Sequence, residues 1–327
     1  MVQRLRLMRQ AGRCLAGAAL LLVSTPAFAQ EPFDTPEEAV TALVAAAKDG
    51  DKTKLLAILG PEGEEIVSSG DDVADRNARD TFVAAYDEKH TLEREGDDQT
   101  VLVMGSDDWP FPIPIVEREG KWEFDAAAGH EEILLRRIGR NELSAIQSSL
   151  AYVAAQKEYA ALDVDGVRPP AYAQRIVSSD GKKDGLYWPS TAGETQSPLG
   201  ALFAEASDEG YEFGGAPVPY HGYYYRILKS QGPGAEGGAF DYVVNDRMIG
   251  GFALLAYPAE YGNSGIMTFM VNHDGVVFQK DLGEDTEALA AEIDAFAPDE
   301  TWTKAETPES VDSEAGRLLE PRPAALI

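Results

Sequence analysis

The sequence predicts an α+β protein in which two modules share one long helix. Three observations carry this reading. Helical periodicity runs through residues 35–89 and gives way to a period of two between 91 and 124. A single uninterrupted helical pattern then spans 129–162. Beyond it, Pro219–Lys280 crowds aromatic, β-branched and Gly-turn residues into what reads as a meander of antiparallel strands.

The elements follow in chain order. Arg4, Arg6, Arg9 and Arg13 precede the apolar run Leu15–Val23, and Ala27-Phe28-Ala29 forms an A-x-A site. This is the three-part pattern of a cleaved secretory signal, residues 1–29, and its apolar run is too short to span a bilayer. Cys14 leaves with it, so the mature chain has no cysteine and relies on its core, not on disulfides. The expected location is the periplasm, with secretion as the alternative. Losing four positive charges takes the formal net charge from −28 to −32. So acidic a chain has no basic surface for phosphates, which excludes nucleic acid as a partner. No segment after residue 29 has the length of a membrane span.

The first module is expected over residues 33–128. Thr35-Pro36-Glu37-Glu38 is a cap with proline at the first helical position and acids in the first turn, opening a helix to Lys48. Asp51 caps a second helix, Lys52–Leu59, and a third runs Asp71–Lys89 with Phe82, Val83 and Tyr86 inward. Strands are expected at 91–94, 100–104, 113–119 and 121–124, with Glu119-Gly120 as a hairpin turn. The proline-rich stretch 107–114 reads as an edge or a loop.

The second module is expected over 129–297. In the helix 129–162, Leu135, Ile138, Ile146, Leu150 and Val153 form one stripe, and Leu134, Tyr152 and Tyr159 a second. Two apolar faces imply burial on two sides, by the first module at its start and the second thereafter. Gly139 is a candidate break. Residues 163–197 read as loop, 198–210 as a short helix, and Thr286–Phe296 as a last amphipathic helix. From Pro298 to Ile327 the chain is acidic and proline-rich, the composition of a disordered tail.

Several segments carry family resemblances. Helices followed by strands ending in Gly120-Lys121-Trp122-Glu123-Phe124 resemble the NTF2-like (SnoaL-like) cone fold, in which such a strand lines a pocket. Plain core packing of Trp122 and Phe124 explains the same alternation. The meander after a long helix resembles pilin-like globular domains. More specifically, NELSAI (141–146), YHGYYYRILKSQGPGA, GGFALLAYPAEYGNSGIMTF and NHDGVVFQKDLG resemble the domain of unknown function 2950 family of exported bacterial proteins. That resemblance implies a Gram-negative envelope location. It transfers no catalytic residue.

Candidates for chemistry are few. The four histidines, His90, His130, His221 and His273, show no metal-helix spacing. Without cysteine, thiol catalysis and thiolate zinc sites are excluded. There is no G-x-S-x-G elbow, and Gly232–Gly238 lacks the Lys-Ser/Thr sequel of a phosphate loop. His221 reads either as an acid/base beside Tyr223 and Tyr225, or as a strand residue bonded to backbone. Tyr257–Gly265, with Tyr261 and Asn263, reads either as a recognition loop or as a long hairpin connection. Asn272, Asp274 and Asp281 are the local oxygen supply for a Ca2+ ion, although turn chemistry explains the Asn-x-Asp-Gly run equally. Asp163-Val164-Asp165-Gly166 is half an EF-hand pattern without its closing glutamate.

These readings lead to a non-enzymatic envelope protein, a binding or assembly factor using a tyrosine-rich loop surface toward an envelope protein or small ligand. The alternative is a periplasmic hydrolase acting on an envelope component, with His221 and a carboxylate such as Asp241 or Glu260 as acid and base.

Overall fold

A computed structural model describes residues 30–191, 193–213 and 217–306. The signal-peptide reading and the tail beyond Glu306 lie outside the described residues.

The first module opens with Pro36–Asp49 (α1), Lys52–Leu59 (α2), Glu64–Val67 (α3) and Asp72–Glu88 (α4). Their starts are fixed by side-chain caps. The Thr35 hydroxyl accepts from the Glu38 N–H, Asp51 from Lys54, and Asp71 from both Val73 and Ala74. Five strands follow: His90–Arg94 (β1), Gln99–Met104 (β2), Trp109–Pro110 (β3), Ile115–Arg118 (β4) and Lys121–Phe124 (β5). They order as β1-β2-β4-β5, with β3 pairing on β2, an open path and not a closed cone. Glu119 and Gly120 both hold positive φ, the two-residue hairpin turn expected between β4 and β5. Leu43, Leu55, Ile66, Phe82, Leu102, Phe111 and Phe124 are buried between helices and sheet, forming the first core.

Ala126–Leu162 (α5) is a single helix about 55 Å long at 1.5 Å per residue, unbroken at Gly139. It is followed by Gly200–Asp208 (α6) and Tyr223–Leu228 (β6). Two short hairpins come next, Ser230–Gln231 (β7) with Phe240–Asp241 (β8), and Val243–Val244 (β9) with Arg247–Met248 (β10). Ala253–Pro258 (β11), Met267–Asn272 (β12) and Val277–Asp281 (β13) then complete the meander, Thr286–Glu292 forms α7, and Thr303–Lys304 forms β14. The main sheet has the order β14-β13-β12-β11-β6 and is antiparallel throughout. It packs on α5, burying Tyr152, Val153, Tyr223, Phe252, Leu255, Phe269 and Met270 in a second core. Among the described residues no helix is long and apolar enough to cross a membrane.

Four details depart from the sequence reading. Leu135 does not face inward: it is 61% exposed, and Ile133 and Arg137 take the buried positions. The expected tail begins as structure, since β14 pairs with β13 and the Ala305 N–H donates to the Val277 carbonyl. The last helix stops at Glu292, and Phe296 instead bridges to Gln231. The Asn272–Gly275 turn carries positive φ at Gly275 alone, with Gly275 N–H donating to Asn272 O at 3.0 Å. That is a turn followed by a left-handed glycine, not a type I′ pair.

The joint between the modules is polar. Arg137 on α5 is buried and donates to the carbonyls of Glu65 (2.6 Å) and Ile66 (2.7 Å), and to the Asn263 side-chain oxygen. Burial pushes its guanidinium down to about 10, against the pull of Asp75. Asn263 in turn donates to the Ser68 carbonyl and the Glu260 carboxylate, both at 2.8 Å. Glu142 accepts from the N–H groups of Ile266 and Met267, and Asn141 donates to the Ser264 carbonyl. The 259–266 loop is therefore mortar between the modules.

Candidate functional site

The main cavity lies beside β6 and measures about 890 Å³, a size that suits a small-molecule or peptide ligand. Three elements build it. Leu202, Phe203 and Ala206 recur at helical spacing and turn one face of α6 toward it. Phe203 is stacked on Tyr187 at 4.1 Å and leans on Phe213 at 4.2 Å. A second wall, Arg175–Asp180, is held where the N–H groups of Leu186 and Tyr187 donate to the carbonyls of Arg175 and Ile176, and the Ser178 N–H to the Tyr187 carbonyl.

The third wall is β6 with its neighbour β11. Tyr224 pairs with Tyr257 across the ladder, their rings 5.6 Å apart, and both line the cavity. Tyr225 points to the other face of the sheet, toward Ser148, Tyr152 and Leu254. Its hydroxyl is buried and makes no close hydrogen bond among the described residues, with the Ser148 side chain as its polar neighbour. Buried phenols normally find one. Burial pushes the Tyr225 phenol well above its ordinary value, with Ser148 pulling the other way. Arg175 and Arg226 are balanced by Asp180 and Glu212 along the lining. The cavity is thus locally neutral in a chain of formal charge −28.

His221 sits at the rim. With φ 50°, followed by Gly222 at 76°, it forms a two-residue turn between Tyr220 and Tyr223. Its ring lies 2.7 Å from the Glu209 carboxylate and stacks on Tyr220 at 4.2 Å. The His221 backbone N–H donates to the Tyr211 oxygen, and Tyr211 donates to Asp71, the cap of α4, at 2.8 Å. Glu209 is therefore the carboxylate at this histidine. Asp241 is exposed on β8, and Glu260 belongs to the module joint. Among the described residues no serine or threonine hydroxyl bonds to the His221 ring.

The other sequence candidates scatter. Tyr223 is wholly buried and donates to the Met267 carbonyl at 2.9 Å, so it presents nothing to a partner. Asn263 is likewise buried in the joint. Tyr261 is half-buried outside the cavity, beside Asp281. Tyr225 and Tyr257 do reach the cavity together.

The proposed calcium ligands do not converge. Asp281 pairs with Met267, five residues along β12 from Asn272, a separation of roughly 17 Å at strand rise. Asn272 instead closes on Asp274, accepting its N–H at 3.1 Å, and Asp281 accepts from Gly283. Asp165 is held by Arg247 at 3.0 Å. Among the described residues no three His, Cys, Asp or Glu side chains gather as a metal would require. A second cavity of about 640 Å³ at the joint is lined by Glu62, Glu64, Glu65, Glu260 and His130, the last 2.8 Å from Glu65.

Sequence reasoning missed two walls of the main cavity, Arg175–Asp180 and α6. The Leu202-Phe203-Ala206 spacing was available as a signal. Nothing in the spacing pairs Glu209 with His221.

A family model described as "Protein of unknown function (DUF2950)" matches residues 30–305, and the chain belongs to that family. No curated protein and no solved structure matches it.

Proposed function

We propose that this DUF2950 protein is an exported, non-enzymatic binding protein of the bacterial envelope, and that its ligand occupies the tyrosine-lined cavity beside β6. The observation that carries the reading is a cavity of about 890 Å³ with the buried Tyr225 hydroxyl on its wall, held by no close hydrogen bond and with the Ser148 side chain beside it. A buried polar group in that state costs stability until something bonds it. Export rests on the Arg-rich start, the short apolar run and the A-x-A site. The resemblance of the two modules to NTF2-like and pilin-like folds fits an assembly role within the envelope.

A hydrolase is the second reading, favoured by one observation: the His221–Glu209 contact at 2.7 Å, stacked on the cavity residue Tyr220.

One experiment addresses both. Thermal-shift screening of envelope-derived compounds and short peptides against the mature chain identifies a ligand, and turnover is followed by mass spectrometry. Tyr225→Phe is expected to weaken that ligand about tenfold, the worth of one hydrogen bond. Val218→Trp, at the exposed rim, is expected to block it, and Tyr261→Ala to leave it unchanged. A ligand indifferent to both cavity variants contradicts the reading. Turnover that disappears in His221→Ala replaces binding by hydrolysis.

A further inference from the structure

The outer edge of β6 is closed at both ends and open in the middle. β6 is the terminal strand of its sheet, with β11 its only ladder partner among the described residues. At its start, Tyr223 exchanges both backbone hydrogen bonds with Tyr220, at 2.9 and 3.2 Å. Just past its end, the Lys229 carbonyl accepts from the Tyr242 N–H at 2.9 Å. Outward-facing residues alternate in an antiparallel ladder, so Tyr225 and Ile227 also turn their N–H and C=O groups away from β11. None of these four groups has a hydrogen-bond partner among the described residues.

The chain's own continuation does not fill the gap. In the Tyr220–Tyr223 register, Val218 stands opposite Tyr225, but no backbone hydrogen bond joins them. Val218 lies between Pro217 and Pro219, which cannot donate to a ladder. The open stretch carries no lysine, proline or bulge, and its one charged residue, Arg226, is turned to the carbonyls of Ala290 and Ile293.

The gap coincides with the cavity. Tyr224, Tyr225 and Arg226 all line it, although consecutive side chains of a strand point to opposite faces. A space that touches both faces of β6 passes around its edge. On another of its walls Val177 forms a β-bridge with Tyr187.

We propose that an extended peptide segment with apolar side chains at alternate positions binds here by adding to β6 as a further strand. The proposal rests on the reading that the cavity is the binding site, and it names the ligand class. The outward groups of Tyr225 and Ile227 stand about 6.8 Å apart and match alternate residues of an incoming backbone. Side chains on one face meet Tyr225, Tyr152 and Leu254, and on the other Tyr224 and Tyr257. The Tyr225 hydroxyl, held by no close hydrogen bond, bonds a polar atom of the segment.

A phage-displayed library of random nonapeptides, selected on the mature chain, supplies the probe. Amide hydrogen exchange is followed at Tyr225 and Ile227 with the synthesised peptide, and each peptide nitrogen is methylated in turn. At peptide about 100 times its dissociation constant, exchange at both amides is expected to slow about a hundredfold. Methylation at alternate peptide residues is expected to weaken binding about tenfold each, and little in between. Ile227→Pro removes an outward N–H without touching the β11 ladder, and is expected to weaken binding by a similar factor. A peptide blocked by Val218→Trp that leaves both amides unprotected and gives a flat methylation scan overturns strand addition while the binding reading stands. Failure to enrich any peptide, or enrichment of one indifferent to Val218→Trp, also overturns it. The compound screen on Tyr225→Phe then judges the binding reading separately.

Discussion

Buried phenols set how this protein meets alkali. Tyr152, Tyr211, Tyr220, Tyr223 and Tyr225 lie well above the ordinary tyrosine range, and Tyr242 is pushed up to about 12, in each case first through lost solvation. Below pH 10 both folded and unfolded chains keep these protons, and the stability is fully present. Above it the unfolded chain releases first, so stability falls as pH rises toward the folded values. Wholly buried Tyr152 and Tyr223 each contribute a slope of about 1.4 kcal/mol per pH unit. Arg137, pushed down to about 10, and Arg140, also lowered by burial, work in the opposite sense, but they are two groups against six. The prediction is cooperative unfolding between about pH 10 and 12, with tyrosinate absorbance rising together with the loss of helical circular dichroism. Gradual tyrosinate formation in a protein that stays folded contradicts it. At this scale the sequence was only half legible. Alternation along 223–225 assigned tyrosines to two faces, but which face met the core and which a cavity depended on α5 and α6, far away in the chain.

At the scale of elements, periodicity and caps located most helices and strands because each spans several turns or pleats. The two-residue strands β3, β7–β10 and β14 are too short to show a period, and pairing alone defines them. The stripe on α5 misplaced Leu135 for a different reason. The helix changes partners near Arg137, so the face buried by the first module is not the face buried by the second. Two glycines test this picture of α5. Gly139 is exposed with open space around it, and Gly139→Ala should stabilise by about 1 kcal/mol through helix propensity alone. Gly129 packs against the preceding loop, where an added Cβ would lie 2.7 Å from the Pro112 carbonyl oxygen. Gly129→Ala should therefore destabilise by about 1–3 kcal/mol. Urea unfolding of both variants decides. A loss of stability in Gly139→Ala would mean that α5 is not continuous there.

As a whole molecule, the protein is two hydrophobic cores with one helix through both and a polar seam where they meet. The seam takes up the loop whose tyrosine, asparagine and serine content had suggested a recognition surface: Asn263 and Ser264 are buried against Arg137 and Asn141. The aromatic surface left for a partner lies on the opposite side of β11, where β6 ends the sheet and α6 roofs it. Composition described the exterior correctly as acidic, but it could not show a neutral cavity within it, because Arg175, Asp180, Glu212 and Arg226 come together only on folding. We place binding in this cavity, and not in the 259–266 loop that follows β11. Photo-crosslinking in living cells tests this placement most directly, with the probe placed at Val218 on the cavity rim and, in a parallel strain, at Tyr261. One reproducible adduct is expected from Val218 and lost in a Tyr225→Phe background, and none is expected from Tyr261. An adduct from Tyr261 alone, or one from Val218 that survives Tyr225→Phe undiminished, would contradict it.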